Sequence, residues 1–188
     1  MRVIAGNARG KHLKAPSGLH TRPITDMIKE ALFNVWGADI VAARVLDLFA
    51  GSGSVGIEAL SRGAEQAVFV DNDKNAIRTI TENLQNCGFR DGFELFHNDV
   101  FRVLDTFSRK QRSFDIIYVD PPFTNDRIFD DVMKVLGKAG ILRDDGVLVI
   151  RTRKQRDLAF RFEKITKYRT NNYGESTLHY YRCMEEDQ

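Results

Sequence analysis

The chain has 188 residues, of which 43% are hydrophobic and 29% charged, and its formal net charge is +2. That is the make-up of one globular domain able to bury a full core without disulfides or a structural metal. No apolar run approaches bilayer length, the opening "MRVIAGNARG" lacks a signal-peptide core, and the two cysteines, Cys87 and Cys183, lie far apart without C-x-x-C spacing, so a reduced cytoplasmic protein with no metal site and no membrane contact is expected.

Residues 2–14 predict a short β-hairpin turning between Gly6 and Gly10. A loop follows, and then apolar residues at 24, 27, 28, 31, 32, 35 and 36 make a helical stripe, with Thr25 or Asp26 as its cap and Gly37 as its stop. From residue 44 strands and helices alternate. Strands are expected at 44–49, 66–71, 93–99, 114–120 and 146–152, separated by a glycine loop with a helix to Arg62 and by helices at 74–87, 100–107 and 126–138. A weak helix at 154–158 and two final strands at 162–170 and 176–183, joined by a turn at 171–174, close the chain. The alternation predicts a doubly wound, mostly parallel α/β sheet of seven strands ending in an antiparallel hairpin. Residues 1–40 form a small hairpin-and-helix extension in this reading, and 41–184 the main domain.

Charge is unevenly distributed. Residues 1–44 carry seven Lys/Arg against three acids, residues 45–150 carry 12 against 17, and residues 151–182 carry nine against three. If the two basic ends meet in space they form a patch suited to a polyanion; otherwise they are ordinary solvated charge.

Gly51-x-Gly53-x-x-Gly56 lies between a strand and a helix, where glycine lets the backbone turn tightly and approach a ligand. Asp71, 20 residues after Gly51, ends the next strand, where an acceptor for two ribose hydroxyls is needed, so loop and carboxylate together read as a nucleoside half-site. Asp47 stands just before the loop, and a fixed carboxylate there suits a cationic ligand better than a pyrophosphate. S-adenosylmethionine is such a ligand. The segment "DLFAGSG" resembles motif I of class I S-adenosylmethionine-dependent methyltransferases. The resemblance implies a Rossmann-like methyltransferase sheet and a cofactor held by the loop residues Asp47, Phe49, Gly51, Ser52 and Gly53. It further implies that Asp71, with Asn72, accepts from the ribose, and that Asp99 accepts from the adenine amine with Val100 against the ring. Asp71 and Asp99 each precede a predicted helix and could instead be helix caps, a reading as strong as the binding one for Asp99 and weaker for Asp71.

The strand at 114–120 ends in Asp120-Pro121-Pro122-Phe123. An exocyclic base amine is a poor nucleophile because its lone pair is delocalised into the ring. Two acceptors, the Asp120 carboxylate and the Pro121 carbonyl, would hold its two N–H groups so that the lone pair points at a methyl carbon. Consecutive prolines stiffen the loop that carries them, and Phe123 offers a face for stacking a base. The stretch resembles the D/N-P-P-F/Y/W signature of amino-group methyltransferases; a nucleic-acid target would have to be flipped out or already looped.

"MRVIAGNARGKHLKAP" and "TRPITDMIKEALFNVW", with "VLDLFAGSGSVGIEALSRGA", "DPPF" and "YGESTLHYYR", resemble the bacterial 16S ribosomal RNA guanine-N2 methyltransferases of the RsmD family over nearly the whole chain. Ile24 and Met27-Ile28-Lys29 depart from its usual threonine and more basic run, at the expense of one phosphate-facing charge. The resemblance implies 16S rRNA, in the small ribosomal subunit or an assembly intermediate, as partner. Arg2, Arg9, Lys11 and Lys14 would grip its backbone, and Thr21 and Arg22 would close over the methionine end of the cofactor. A DNA adenine-N6 methyltransferase is the alternative within the class. An NAD(P)-dependent oxidoreductase would explain the glycines and Asp71 but leave Asp120 to Phe123 without a role. A non-catalytic assembly factor would leave the cofactor loop unexplained.

Overall fold

The computed structural model describes residues 1–17 and 23–184. Helix α1 spans Asp26–Trp36, capped by the Thr25 hydroxyl on the amide of Ile28, and a short 3-10 turn at Gly37–Ile40 follows it. Strands β1 (Arg44–Leu48), β2 (Gln66–Asp71), β3 (Phe93–His97), β4 (Phe114–Val119) and β5 (Leu142–Arg153) alternate with helices α2 (Ser54–Ser61), α3 (Lys74–Asn86), α4 (Val100–Arg109) and α5 (Arg127–Ala139). Strands β6 (Arg161–Phe162), β7 (Ile165–Tyr173) and β8 (Ser176–Cys183) complete one sheet in the order β3-β2-β1-β4-β5-β8-β7-β6. The first five strands are parallel and the last three are antiparallel to their neighbours.

Period-two alternation sends successive side chains to opposite faces. Val45, Ile116, Tyr118, Val149, Leu178 and Tyr180 pack under α1 and α2, while Leu46, Leu48, Ile117, Val119, Leu148 and Ile150 pack under α4 and α5. Because both faces are covered, the central strands read as continuous apolar runs. β1 has β2 on one side and β4 on the other, so the chain reverses its direction of winding there, and ligands bind outside the carboxyl ends of strands at such a point.

Three expectations need correction. Among the described residues the sheet has eight strands rather than seven, because 162–170 is two strands: β6 turns at Glu163 and Lys164, and β7 continues to Tyr173, which moves the last turn to Gly174 and Glu175. Residues 154–158 form no helix; Lys154 instead donates its amide to the carbonyl of Glu175 and turns the chain back. β5 starts at Leu142, four residues before the expected position, beyond a break in its register with β4. At the N-terminus Arg2 bridges His12, and the amides of Val3, Gly10 and Leu13 donate to the carbonyls of Lys11, Val3 and Met1, closing a short hairpin whose Ile4 and Ala5 amides go to Glu58.

Candidate active site

The glycine loop connects β1 to α2. Gly53 caps the helix in left-handed geometry (φ 74°), and Phe49 (φ 58°) adopts a conformation uncommon for a side chain of its size. Gly56 has a different reason to be glycine: a Cβ there would lie 2.3 Å from Cε1 of Phe69, so its absence lets α2 sit against β2. Oδ2 of Asp47 accepts from the amide of Gly56 at 3.0 Å and so ties strand to helix. Asp71 accepts from the amides of Gly51 (2.8 Å) and Asp73 (2.9 Å), fastening the loop to the end of β2. Burial pushes both carboxyls above their ordinary range, Asp47 the further, against the lowering effect of these amides. Neither has an ion-pair partner among the described residues.

Asp120 continues β4, its amide bonded to the carbonyl of Leu48 at 3.2 Å. The pairing of Val119 with Ile150 makes Arg151 its neighbour on β5. Nε of Arg151 donates to Oδ1 of Asp120 at 2.9 Å, and the Tyr118 hydroxyl donates to Oδ2 at 3.3 Å. Burial raises the Asp120 carboxyl above its ordinary range, and Arg151 and Tyr118 pull against that rise. Each oxygen keeps a further lone pair for an incoming N–H. Phe123 is not a bare platform. Its ring packs on Phe129 at 5.9 Å, the guanidiniums of Arg151 and Arg153 lie 5.4 and 5.6 Å from its centroid, and its carbonyl accepts from Arg153.

Two adjoining cavities open on this edge. One, of about 140 Å³, has Asp47, Gly51, Ser52, Asp120, Pro121, Phe123 and Arg151 in its wall; the other, of about 170 Å³, has Gly51, Asp71, Asn72, Asp99, Val100, Asp120 and Pro122. Phe49, Gly51 and Asp120 border both, so the acidic corner and the glycine turn share one cleft. Asp99 caps α4 by accepting from the amide of Arg102 at 3.1 Å, while remaining in the wall. Thr21 and Arg22 lie outside the described residues.

The basic N-terminal residues are less available than their spacing suggests. Arg2 is bonded to Asp26 and Lys14 to Glu82, whereas Arg9 and Lys11 are exposed without an ion pair among the described residues. Lys29 is fully buried: its Nζ donates to the carbonyl of Arg2 (2.6 Å) and to Ser54 Oγ (2.9 Å), and it pairs with Glu58 at 3.3 Å. Asn83, also buried, bridges the backbone of Lys14 to the carbonyl of Ser52. The N-terminal segment is thereby fastened to the cofactor loop, and its Ala15, Pro16 and Pro23 wall the first cavity.

Arg151, Tyr118, Lys29 and Asn83 were not identified by sequence reasoning. A charge interrupting "VLVIRT" and a glutamate within the apolar "VGIEAL" were the available signals for Arg151 and for the partner of Lys29.

Residues 1–182 match the family model described as Conserved hypothetical protein 95. A Bacillus subtilis protein named "Putative rRNA methyltransferase YlbH" is 37% identical over 174 residues, which are 93% of this chain and 94% of that one. Ribosomal RNA small subunit methyltransferase D of Escherichia coli K12 is 31% identical over 158 residues, 84% of this chain and 77% of its own. Among solved structures, the Thermus thermophilus protein TTHA0928 superposes with a TM-score of 0.82 at 29% identity, covering 96% of this chain and 98% of that one. The Escherichia coli protein yhhF gives 0.82 at 28%, with 97% of each chain covered.

Proposed function

The chain belongs to the Conserved hypothetical protein 95 family, and on that premise we propose that it transfers a methyl group from S-adenosylmethionine to the exocyclic N2 of a guanine in small-subunit ribosomal RNA. Its relatives named as ribosomal RNA methyltransferases support the substrate class. The observation that carries the reading is the shared cleft, in which Asp120 borders the same cavities as the glycine loop.

The residues fit the cofactor. Asp47 is 2% exposed and has no ion-pair partner among the described residues, and the two cavity walls hold Asp47, Asp71, Asp73, Asp99 and Asp120 against a single guanidinium among those residues, that of Arg151. A buried carboxylate without a counter-ion favours a positively charged ligand and disfavours the pyrophosphate of a dinucleotide. When bound, S-adenosylmethionine supplies an electrophilic methyl on a sulfonium. Asp71 and Asn72 would orient the ribose, and Asp99 and Val100 the adenine.

The work left to the chain is positioning. Asp120, fixed by Arg151 and Tyr118, accepts one amine N–H, and the Pro121 carbonyl accepts the other, which aims the nitrogen lone pair. An ordinary carboxylate is too weak to deprotonate a neutral aryl amine, but Asp120 can take the proton once the nitrogen has become cationic. Holding both reactants in a dry cleft is worth on the order of 7–11 kcal/mol.

Titration with S-adenosylhomocysteine and with NADH should show binding of the first alone. Incubation with S-adenosylmethionine and undermethylated 16S rRNA or small subunits should then yield N2-methylguanosine. Binding of NADH, or methylation of adenine in DNA, would replace this reading.

A further inference from the structure

Besides Arg9 and Lys11, exposed basic residues without an ion pair among the described residues lie on the last two long strands. Residues 151–182 hold nine Lys/Arg against three acids. On the α1 side of β7 and β8 four side chains form a ladder. The Arg182 guanidinium lies 5.5 Å from the Tyr168 ring, the Tyr168 and Tyr180 rings are 6.2 Å apart, and the Arg169 guanidinium lies 5.6 Å from Tyr180. The register accounts for it: Arg169 is paired with Tyr180, and a bulge between Lys167 and Arg169 turns Tyr168 out beside them.

Arg169, Arg182 and Tyr168 are all exposed, Tyr168 by 42%. Neither arginine has an ion-pair partner among the described residues. Among the described residues Arg169 bonds only the Asn171 side-chain oxygen, at 3.3 Å, and Asp39, within electrostatic range of Tyr168, bonds neither guanidinium. A guanidinium laid on an aromatic ring is held in place while its N–H edge stays free for an anion. This contrasts with Arg2 and Lys14, whose charges are offset by Asp26 and Glu82. β8 links the ladder to the strand that carries Arg151, because Tyr180 pairs with both Arg169 of β7 and Val149 of β5, two residues before Arg151.

We infer that this arginine–tyrosine ladder grips the sugar–phosphate backbone of the ribosomal RNA beside the target nucleotide. Planar cations that pair with no carboxylate among the described residues match phosphate, and the ladder itself exposes one large apolar side chain, Tyr168, where a protein partner would be expected to bury an apolar core. The inference rests on the ribosomal RNA reading of the site.

The test is the full-length Arg169→Glu/Arg182→Glu variant, with Arg169→Lys/Arg182→Lys as control, binding naked 16S rRNA and small subunits over a salt series. The Glu pair should raise the KM for RNA at least about tenfold with kcat within about twofold and S-adenosylhomocysteine affinity unchanged. Its slope of log affinity against log salt should be shallower by about 1.4–1.8, the value for two lost phosphate contacts, and the Lys pair should keep the parent slope. Unchanged RNA affinity and slope would overturn the inference, as would a loss confined to protein-containing subunits, which would assign the face to a ribosomal protein. A parent protein that binds rRNA but methylates none of it would refute the proposed reaction while leaving the comparison of slopes decisive for the ladder.

Discussion

Asp120 directly follows β4 and Arg151 lies near the end of the adjacent parallel strand β5, and Nε of Arg151 donates to Oδ1 of Asp120 at 2.9 Å, both largely out of water. Asp120 is therefore one half of an ion pair. Its partner holds the carboxylate in place and opposes the rise in pKa that burial imposes.

Replacing Arg151 with Met removes that opposition. The Asp120 pKa should climb further, so less of it is ionised at neutral pH, and the acidic limb of the kcat–pH profile should move to higher pH. We expect at least about a tenfold loss of kcat at pH 7, partly recovered at higher pH, while Arg151→Lys keeps the parent limb. Stranding the carboxylate should also lower stability by about 3–5 kcal/mol, so unfolding is measured alongside. A limb that stays in place would mean that ionised Asp120 is not required.

The Lys29–Glu58 pair holds the N-terminal segment on α2. Both side chains are fully buried, and Glu58 also accepts from the amides of Ile4 and Ala5 and from Arg62. Lys29→Met should cost about 1.5–3 kcal/mol, since it removes one of the two cations on the buried Glu58 carboxylate and leaves Arg62 as the other. The Lys29→Met/Glu58→Met double variant should lose less than the sum of the two single variants in urea unfolding. Strict additivity would show that the two charges are not coupled.

His179 provides an acid-sensitive element away from the site. It is 1% exposed, its Nε2 lies 3.0 Å from the Thr152 hydroxyl, and burial lowers its pKa to about 4 from an ordinary 6.5. Below pH 6.5 the unfolded chain gains a proton that the folded chain resists. Stability contributed by the neutral imidazole is complete above that pH and is lost as pH falls toward 4, by about 3 kcal/mol in total. His179→Gln should flatten the slope of unfolding free energy against pH in that window. An equally steep slope in the variant would place the effect elsewhere.

Gly56 tests the fit of α2 on the sheet. Gly56→Ala brings a methyl to 2.3 Å from Phe69, and about 1–3 kcal/mol of stability should be lost together with S-adenosylhomocysteine affinity. A variant that melts and binds like the parent would show that the loop tolerates displacement of its helix.

Much of this architecture could be read from the chain because it repeats. Short apolar runs alternating with helical stretches mark the strands and helices from Arg44 to Ala139, and the glycine loop and Asp-Pro-Pro-Phe fall where such a sheet binds ligands. What escaped depends on contacts between residues distant in sequence. Arg151 meets Asp120 across 31 positions and Asn83 meets Lys14 across 69, and no local period signals either. Glu58 likewise takes the amides of Ile4 and Ala5 across 54 and 53 positions. The helix expected at 154–158 has the composition of one, but Lys154 pairs with Glu175 instead.

The central claim is that Asp120 positions a guanine amine of small-subunit ribosomal RNA for methylation. Its most direct test is mass-spectrometric mapping of 16S rRNA from cells that make the parent chain, cells that lack it, and cells that make only Asp120→Ala. The account predicts one N2-methylguanosine present in the first and absent from the other two, with S-adenosylhomocysteine affinity of the purified variant nearly unchanged. Identical maps in all three strains, or full methylation by the variant, would contradict it.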